Sequence, residues 1–494
     1  MDRVRVRFAP SPTGPLHIGG VRTALYTYLI AKKYEGDFIL RIEDTDQNRY
    51  VPGAEDYIIK SLEWCGITPD EGPGFGGEYG PYRQSERKDT YGKYAKQLVS
   101  EGKAYYAFDS AEEIVAMRNR LEDAGSKAPK YDHSSRLSMR NSLTLSESET
   151  ADLLEQSEDV IVRLKIEPGE EIIVNDIIRG EVKFNSSELD DKVLLKADGM
   201  PTYHMANIVD DKLMEISHVI RGEEWLPSTA HHVLLYRALG WEETMPKFAH
   251  LSLLLKPNGK EWKAETEEDS FTGFKEFGFD PKATVNFLAF LGWNPGTEQE
   301  IFNIEDLAEA FNLDQIVKSG ARFDIDKAKW YNQQYIINSD NKGIATYLKD
   351  FDPENYGKVE LEYLEKFVGL MKERVELYSD FYRSGYYFFE EINSYEEKMI
   401  RKKWKDHRPA KFLKFSEVIA ENDFTSEAIK SELESFMKKE EIGYGDIMPF
   451  LRLAMTGTMQ GPDLFQTMEL LGKENAIKRL GEGLNHFNKV VSEK

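Results

Sequence analysis

The alternation of apolar and polar residues at the start of the chain predicts a β-strand that ends in a tight turn. The run VRVRF at residues 4–8 alternates apolar side chains with arginines, which is the period-two pattern of a strand with two different faces. The prolines and glycine of APSPTGP, residues 9–15, then prevent continuation as strand or helix. From residue 21, VRTALYTYLIAKKY places apolar residues on one helical face. The pattern therefore predicts a strand, a turn and a helix in that order.

These three elements together form a site for an anion. The free N–H groups and the positive end of the helix point into the turn. Gly19 and Gly20 let a phosphate approach the backbone closely. His17, at the helix start, is either a surface or packing residue or a ligand of the anion. The histidine alone leaves both interpretations open.

The periodicities of the remaining chain indicate an interrupted α/β core. Strand and helix alternate from residue 1 to about 85 and again from 199 to about 255. The stretch between them carries its own helices and the strands VIVRLKI and KVLLK. From about 335 the chain has long amphipathic stretches, such as LEYLEKFVGLMKERVELYSDFY, and no convincing strands. We predict an α/β core split by an α+β insertion and followed by an all-α C-terminal region.

The composition excludes several classes of protein. The 494 residues suffice for three or more domains at about 150 residues each. A single cysteine, Cys65, excludes a disulfide framework and a Cys-rich metal site and suits a reducing cytoplasm. No apolar run approaches the roughly 20 residues of a membrane span. The net charge of −23 argues against a generic nucleic-acid binder, so local basic faces must contact any nucleic acid.

Several motifs in a fixed order point to one family. RFAPSPTGPLHIGG at 7–20 resembles the HIGH signature of class I aminoacyl-tRNA synthetases. The motifs that follow are FILRIEDTD at 38–46, GPYRQSER at 80–87, LLKADGMPTYHMANIVDD at 194–211 and HVIRGEEWLPST at 218–229. Chance does not produce such similarity in order, and the match extends to LLGKENAIKRL at 470–480. The chain resembles glutamyl-tRNA synthetases of the bacterial type over nearly its whole length.

The resemblance implies a glutamate–tRNA ligase. ATP, with Mg2+, would activate L-glutamate as glutamyl-adenylate, and the glutamyl group would pass to the 3′-terminal ribose of tRNA(Glu). The implied domains are a Rossmann-like catalytic domain at 1–85 and 199–255 and an inserted domain for the tRNA acceptor end at 86–198. Residues 256–335 would contact the tRNA stem, and residues 336–494 would bind the anticodon in one or two subdomains. We expect neither a membrane nor DNA as a partner.

By the same resemblance, the first turn and a later lysine hold ATP. The catalytic candidates are His17, Gly19 and Gly20, and the ATP-binding candidates are Pro10, Ser11, Thr13, Gly14, His17, Gly20 and Lys260. Gly20 stands where the signature has its second histidine, which leaves His17 and backbone amides to stabilise the charge. Phosphoryl transfer requires mainly positioning and charge neutralisation from the protein.

Choosing glutamate requires cations for two carboxylates and an acid for one ammonium. Arg7, at the strand end, is our candidate for the side-chain carboxylate, because a guanidinium binds a carboxylate bidentately. Arg221 is the second cationic candidate. In the family, Ser11 and Glu43 match positions that hold the amino group. The glutamate-binding candidates are Arg7, Ala9, Ser11, Glu43, Tyr203, Asn207 and Arg221.

Two further residues of the HVIRGEEWLPST motif, Glu224 and Trp225, remain ambiguous. They either line the pocket or pack against the core, since a tryptophan is usually well buried.

The segment after residue 250 departs from the family. HLSLLLKPNGK matches the approach to the mobile lysine-rich KMSKS loop, but EWKAETEEDSF follows at once and KLSKR is absent. Either the loop is lost, with Lys256, Lys260 and Lys263 as poor substitutes, or the sequence passes over a stretch after Lys260. We favour the second explanation because EWK fits sequence expected after the loop. It predicts that the Lys260 carbonyl carbon and the Glu261 nitrogen lie far beyond the ~1.33 Å of a peptide bond.

The C-terminal half offers candidates for tRNA binding. KMIRKKWKDHRPAKFLK at 398–414 is strongly basic and is either a tRNA-binding face or a solvated helix. The candidates are Lys372, Arg374, Arg401, Lys402 and Arg452. The sequence leaves open whether tRNA(Gln) is also charged. It also leaves open the oligomeric state.

The inserted domain is not expected to bind zinc. Some relatives bind zinc there through cysteines, but this chain has Ala107 and Asp109 in AYYAFDSAEE and no cysteine further on.

Two other functions compete with an active ligase. A tRNA-binding protein without catalysis is suggested only by the missing lysine loop. A different adenylyltransferase of the same superfamily would leave the C-terminal half, with PFLRLAMTGTMQGP at 449–462, without a purpose.

Overall fold

The computed structural model describes residues 3–157, 159–256, 258, 271–421 and 423–493. The chain forms two compact units: unit 1 contains residues up to 274 and 284–325, and unit 2 contains residues 275–283 and 326 onward. The predicted break between Lys260 and Glu261, and Lys263, lie outside the described residues. The prediction about the lysine loop therefore stays a prediction.

The described strands belong to unit 1. They are β1 (Arg5–Phe8), β2 (Asp37–Leu40), β3 (Ala104–Ala107), β4 (Ile161–Leu164), β5 (Glu171–Asp176), β6 (Gly180–Asn185), β7 (Val193–Leu195), β8 (His218–Gly222), β9 (Lys247–Leu251), β10 (Leu254–Leu255) and β11 (Ala321–Arg322).

The helices occur in both units. Those that begin before residue 325 are α1 (Ile18–Lys33), α2 (Ala54–Trp64), α3 (Lys88–Ser100), α4 (Ala111–Asp123), α5 (Glu147–Gln156), α6 (Tyr203–Leu213), α7 (Leu226–Ala238), α8 (Phe271–Phe277), α9 (Pro281–Ala289) and α10 (Ile304–Ala310). The later ones are α11 (Ile325–Asn338), α12 (Asn341–Phe351), α13 (Pro353–Tyr356), α14 (Leu361–Met371), α15 (Tyr378–Gly385), α16 (Glu397–Lys403), α17 (Arg408–Ala420), α18 (Ser426–Glu440), α19 (Tyr444–Thr456), α20 (Leu464–Leu471) and α21 (Lys473–Ser492).

A six-stranded sheet in the order β2-β1-β8-β9-β5-β6 is the centre of unit 1. All its neighbours pair in parallel except β5 and β6, which form an antiparallel hairpin at one edge. The chain leaves β1 for β2 on one side and later returns to β8 on the other. This reversal opens a crevice at the carboxyl ends of β1 and β8, which is where open α/β sheets bind ligands. The predicted Rossmann-like catalytic fold is confirmed.

The arginines of β1 are buried. Arg5 pairs with Asp37 and Glu71 at 2.7 and 2.8 Å, and Arg7 pairs with Asp211 at 2.9 Å. All four residues of the strand are buried. The charged positions lie inside the protein because carboxylates from other elements neutralise them.

The insertion has its own sheet but also contributes to the central one. Strands β3, β4 and β7 form an antiparallel sheet, and two of them are the predicted runs VIVRLKI and KVLLK. This sheet shares a hydrophobic core with α3, α6 and α7. The hairpin of β5 and β6, also inside 86–198, extends the central sheet next to β9. The sequence analysis did not predict that the insertion adds an edge to the catalytic sheet.

Unit 2 is helical throughout its described part. Its helices enclose a continuous core of aromatic and aliphatic side chains, including Phe367, Trp404 and Phe487. Trp404 of the basic segment lies in this core, in edge contact with Phe487. The all-α C-terminal region is thus confirmed. In the described residues, no helix has the length and apolar character that a membrane span needs.

Candidate active site

His17 caps helix α1 with its own imidazole. Its Nδ1 accepts a hydrogen bond from the Gly20 N–H at 3.3 Å, and its carbonyl accepts from Gly20 and Val21. A neutral ring that accepts at Nδ1 carries its proton on Nε2. The surrounding protein lowers the pKa of His17, and the charge of Glu224 opposes this shift. His17 is therefore a neutral group that carries its ring proton on Nε2.

The amide of Gly20 is directed back at His17 rather than into the turn. Gly20 was predicted to let a phosphate approach the backbone closely, and its amide takes part in the helix cap. Among the described residues, the amides of Ile18 and Gly19 donate to no other group, so they are the free donors of the first helical turn. A Cβ at Gly20 would lie 2.5 Å from Leu16 Cδ1, so a larger residue there would displace that side chain.

The turn before α1 is fastened to the chain that follows β2. The Glu43 N–H donates to the Pro10 carbonyl at 3.0 Å, and the Val51 N–H donates to the Pro12 carbonyl at 3.0 Å. Ser11 and Thr13 are exposed, while Ala9, Pro10 and Gly14 are partly buried. Two hydroxyls thus face the solvent beside the helix start.

A buried charge network lies beneath this turn. Asp211 accepts from both Arg7 and Arg41, the latter at 2.7 Å. Arg41 also donates to Glu43, and the Asn207 amide donates to the same Glu43 oxygen, each at 3.0 Å. Burial raises the pKa of Glu43, although Arg41 and Arg7 oppose the shift. The predicted residues Arg7, Glu43 and Asn207 are therefore brought into one network.

Arg7 has less freedom to bind a carboxylate than the sequence analysis assumed. Asp211 accepts from its Nε and Nη2, so one edge of the guanidinium is already bound bidentately. Its Nη1 forms no hydrogen bond among the described residues. Arg7 can therefore meet a ligand only with its outer edge.

Arg221 holds Tyr203 rather than presenting an open guanidinium. Its Nη1 donates to the Tyr203 hydroxyl at 2.7 Å and approaches His232 Nδ1 at 3.5 Å. Its Nη2 donates to Thr229 Oγ1 and the Trp225 carbonyl, and its Nε donates to His250 Nε2. All five N–H groups thus have an acceptor. Arg221 would have to exchange one of these partners to bind a ligand carboxylate.

Trp225 and Glu224 do not pack into the core. Trp225 is 40% exposed, and its ring lies 4.5 Å from the ring of Tyr203, centroid to centroid. Glu224 is exposed and is close enough to influence the pKa of His17. The structure therefore places both residues at the open side of the crevice.

Three buried residues of this region were not among the site residues predicted from the sequence: Arg41, Asp211 and His250. All three lie within quoted segments: Arg41 in FILRIEDTD, Asp211 in LLKADGMPTYHMANIVDD and His250 at the start of HLSLLLKPNGK. Two signals were available in the sequence. One is the pair of adjacent aspartates at the end of an apolar helix pattern, and the other is the single arginine inside an apolar strand. Because a buried charge needs a partner, these residues could have been predicted to pair.

The tRNA-binding candidates of unit 2 form two groups. Arg374 is exposed. Burial lowers the pKa of half-buried Arg452, and the positive charge of Arg374 lowers it further. Arg452 donates to the Pro462 carbonyl. Lys372 donates to the Ser339 carbonyl at 3.1 Å. On α16, Arg401 pairs with Glu397, whereas Lys402 is exposed. Among the described residues, no cluster of three or more His, Cys, Asp or Glu side chains could hold a metal ion.

Comparison with known proteins identifies the family. The family described as tRNA synthetases class I (E and Q), catalytic domain, matches residues 3–330, and an anticodon binding domain matches residues 343–484. The glutamate–tRNA ligase of Cytophaga hutchinsonii is 51% identical across 97% of this chain and 96% of its own length. The chain belongs to the glutamate–tRNA ligase family. Another member, from Christiangramia forsetii, is 49% identical across 98% and 99% of the two chains.

Solved structures of the family have the same fold. A glutamate tRNA ligase from Elizabethkingia meningosepticum, crystallised in complex with its amino acid, superposes with a TM-score of 0.92 at 46% identity. The match covers 98% of this chain and 99% of that one. The alignment with the Cytophaga hutchinsonii ligase is 498 positions long although only 97% of this 494-residue chain takes part. That family member therefore contains residues that this chain lacks.

Proposed function

We propose that this chain is a glutamate–tRNA ligase that forms glutamyl-adenylate from glutamate and ATP and transfers glutamate to the 3′-terminal ribose of tRNA(Glu). The observation that carries the proposal is the set of side chains at the carboxyl ends of the neighbouring strands β1 and β8. There, a neutral histidine at a helix start stands beside a buried network of arginines, Glu43 and Asn207. The family and its full-length relatives support the same activity.

In the first step, the glutamate carboxylate attacks the α-phosphate of ATP and pyrophosphate leaves. The Nε2–H of His17 and the amides of Ile18 and Gly19 would donate to the phosphates, while Ser11 and Thr13 offer hydroxyls at the same turn. Mg2+ would enter as the magnesium complex of ATP, and we assign it no protein ligand. The proposed ATP-binding role of Lys260 concerns a residue outside the described ranges.

Glutamate would lie on the side of Tyr203 and Asn207. The outer edge of Arg7 is the proposed partner of its side-chain carboxylate, and Glu43 with Ser11 the proposed partners of its ammonium. Arg221 would act chiefly by fixing Tyr203, since its own donors are engaged. In this assignment, Arg7 and Glu43 recognise the charged groups of glutamate. Tyr203, which Arg221 holds in place, recognises its shape.

In the second step, the terminal ribose hydroxyl of tRNA attacks the activated carbonyl and AMP leaves. We propose that the inserted region 86–198 contacts the acceptor end, that residues 256–335 contact the stem and that residues 336–494 bind the anticodon. The anticodon-binding family match and the exposed basic residues Arg374 and Lys402 support the last assignment. The reaction belongs to protein synthesis, which agrees with the cytoplasm expected from cysteine usage.

The deciding experiment is aminoacylation of purified tRNA(Glu) and tRNA(Gln) with labelled glutamate and ATP. We expect charging of tRNA(Glu), with glutamine in place of glutamate as the negative control. Charging of both tRNAs would identify a non-discriminating enzyme. Binding of tRNA(Glu) with neither charging nor pyrophosphate exchange would contradict the proposal and favour a tRNA-binding protein without catalysis.

A further inference from the structure

A line of buried side chains leads from the edge hairpin of the central sheet to the proposed glutamate pocket. Asp176, at the end of β5, contacts His250 Nδ1 at 2.6 Å, and His250 lies on β9. His250 Nε2 accepts from Arg221 Nε at 3.0 Å, and Arg221 Nη1 donates to the Tyr203 hydroxyl at 2.7 Å. Neither Asp176 nor His250 is exposed. Three strands and α6 thus meet through four side chains.

The chemistry of arginine fixes the direction of these hydrogen bonds. A guanidinium can only donate, so His250 Nε2 must accept, and the ring proton must lie on Nδ1. Nδ1–H then donates to the Asp176 carboxylate. Asp176 also accepts from the backbone N–H groups of His250, Ile178 and Arg179, which hold the carboxylate in place. In the other tautomer, the Nε2–H of His250 would face the Nε–H of Arg221. Two donors cannot form a hydrogen bond with each other.

His250 holds the Nε end of the Arg221 guanidinium. The other acceptors of Arg221 are a hydroxyl, a carbonyl, a phenol and a second histidine that it only approaches at 3.5 Å. Only His250 accepts from Nε, the nitrogen nearest the chain, and Thr229 Oγ1 lies 3.2 Å from the same His250 nitrogen. If His250 no longer accepted, the guanidinium could turn about its stem, and the Tyr203 hydroxyl would lose its fixed partner.

We propose that Asp176 and His250 are positioning residues for amino-acid selection: they orient Arg221, which in turn orients Tyr203 at the glutamate pocket. This inference rests on the proposed function only in assigning Tyr203 and Arg221 to glutamate. It gives the hairpin of β5 and β6 a role in the reaction, although that hairpin lies within the inserted part of the sequence.

Two substitutions of His250 separate positioning from simple packing. Gln places an amide oxygen near the Nε2 position and can still accept from Arg221, whereas Asn can only replace Nδ1. His250→Asn should raise the KM for glutamate about tenfold or more, as expected for losing one hydrogen bond to a charged group, and should leave the KM for ATP within about twofold. His250→Gln should recover most of the loss. Equal impairment of both variants, or equal changes of both KM values, would overturn the proposal.

His218→Asn provides a matched control, because His218 lies on β8 at the end remote from Gly222 and contacts Ser217 instead of Arg221. It should leave the KM for glutamate unchanged. If the KM for glutamate rose in His218→Asn as it does in His250→Asn, loss of any histidine from this sheet would have the same effect. That result would contradict a positioning role for His250.

A readout independent of activity tests the tautomer. In 15N-histidine-labelled full-length protein, NMR of the His250 imidazole, assigned by His250→Gln, should show the proton on Nδ1 in the wild type. In Asp176→Asn the amide oxygen can still accept from Nδ1–H, so the proton should stay on Nδ1 while Arg221 donates to Nε2. A wild-type proton on Nε2 would refute the inference whatever the activity. Absence of tRNA charging with the expected tautomer would instead refute the proposed function.

Discussion

Asp210 and Asp211 are neighbours on α6, yet their carboxylates accept hydrogen bonds from different arginines. Asp211 accepts from Arg7 of β1 and from Arg41, whereas Asp210 accepts from Arg87 at 2.7 Å and from Gln84 and Tyr91. Consecutive helical residues point about 100° apart, so one helix joins the phosphate-turn strand to the GPYRQSER segment. The motifs that identify the family are therefore neighbours in space because α6 carries two adjacent acids.

Loss of Asp211 should destabilise unit 1 strongly. Asp211→Ala leaves two buried guanidinium groups without their shared carboxylate, and breaking a buried pair costs about 3–5 kcal/mol. The midpoint of urea unfolding of unit 1, followed by tryptophan fluorescence and calorimetry, should fall accordingly. Glu362→Ala, which breaks an exposed pair with Lys366 in unit 2, is the control and should leave the midpoint of unit 1 unchanged. Equal effects of the two variants would contradict the network.

Removal of the Tyr203 hydroxyl should weaken glutamate binding more than ATP binding. Tyr203→Phe keeps the ring beside Trp225 but leaves one donor of buried Arg221 without its acceptor, a loss of about 1–3 kcal/mol. We expect the KM for glutamate to rise about tenfold in aminoacylation assays. Tyr236→Phe is a matched control, because the buried Tyr236 hydroxyl has no hydrogen-bond partner among the described residues. The idea fails if both variants behave alike.

A substitution can separate the two roles of His17. Asn accepts hydrogen bonds at a helix start as well as histidine does here, so His17→Asn should preserve the melting temperature. It removes the donor at Nε2, and loss of one donor to a developing charge lowers kcat by about 100- to 1,000-fold. His17→Ala should lower both the melting temperature and kcat. An unchanged kcat in His17→Asn would exclude contact with the phosphates.

Unit 1 should lose stability as the pH falls below about 6.5, the ordinary pKa of histidine. Burial lowers the pKa of His204 to about 3 and also lowers the pKa values of His232 and His250. Below pH 6.5 these histidines are protonated in the unfolded chain but stay neutral in the folded chain. The stability that is present above pH 6.5 is therefore lost on acidification. Glu43 opposes this, since burial raises its pKa.

Calorimetry at pH 7.5, 6.5 and 5.5 should therefore show a falling melting temperature for unit 1. His204→Gln should reduce the slope. A constant or rising melting temperature would contradict burial of these histidines in the neutral form.

Exposed lysines of α16 should contribute to tRNA binding through their charge. Lys402 and Lys403 are exposed and have no ion-pair partner among the described residues, whereas nearby Lys411 and Lys414 pair with Glu440. Lys402→Ala with Lys403→Ala should weaken tRNA binding and reduce the slope of log K against log salt by about 0.7–0.9 for each lost phosphate contact. Lys366→Ala, an exposed lysine paired with Glu362, is the control. An unchanged slope would favour the solvated-helix interpretation.

Local patterns in the sequence predicted the first strand, the turn and α1, because alternation, proline and glycine act within a few residues. They also predicted two strands of the inserted sheet. The pattern could not show where the arginines of β1 find their carboxylates, since Asp211 is about two hundred residues away. The alternation predicted two different faces, and long-range pairing explains why the face that carries the arginines is buried as well.

The resemblance brought together residues that the structure also places together, such as Glu43 and Asn207. It did not reveal that Arg221 is fully engaged or that Gly20 donates to His17. Both features depend on which hydrogen bonds the folded protein has already formed. A sequence motif does not show those hydrogen bonds. The roles of these residues toward glutamate and ATP stay predictions.

The hairpin of β5 and β6 also limits how far this enzyme could be shortened. Because β9 lies between β8 and β5, deleting residues 86–198 would strip a neighbour from β9 and leave it as a bare edge strand, open to pairing between molecules. The same cut would remove Asp176. A minimal version of the protein would therefore need residues 171–185 spliced back as a separate piece.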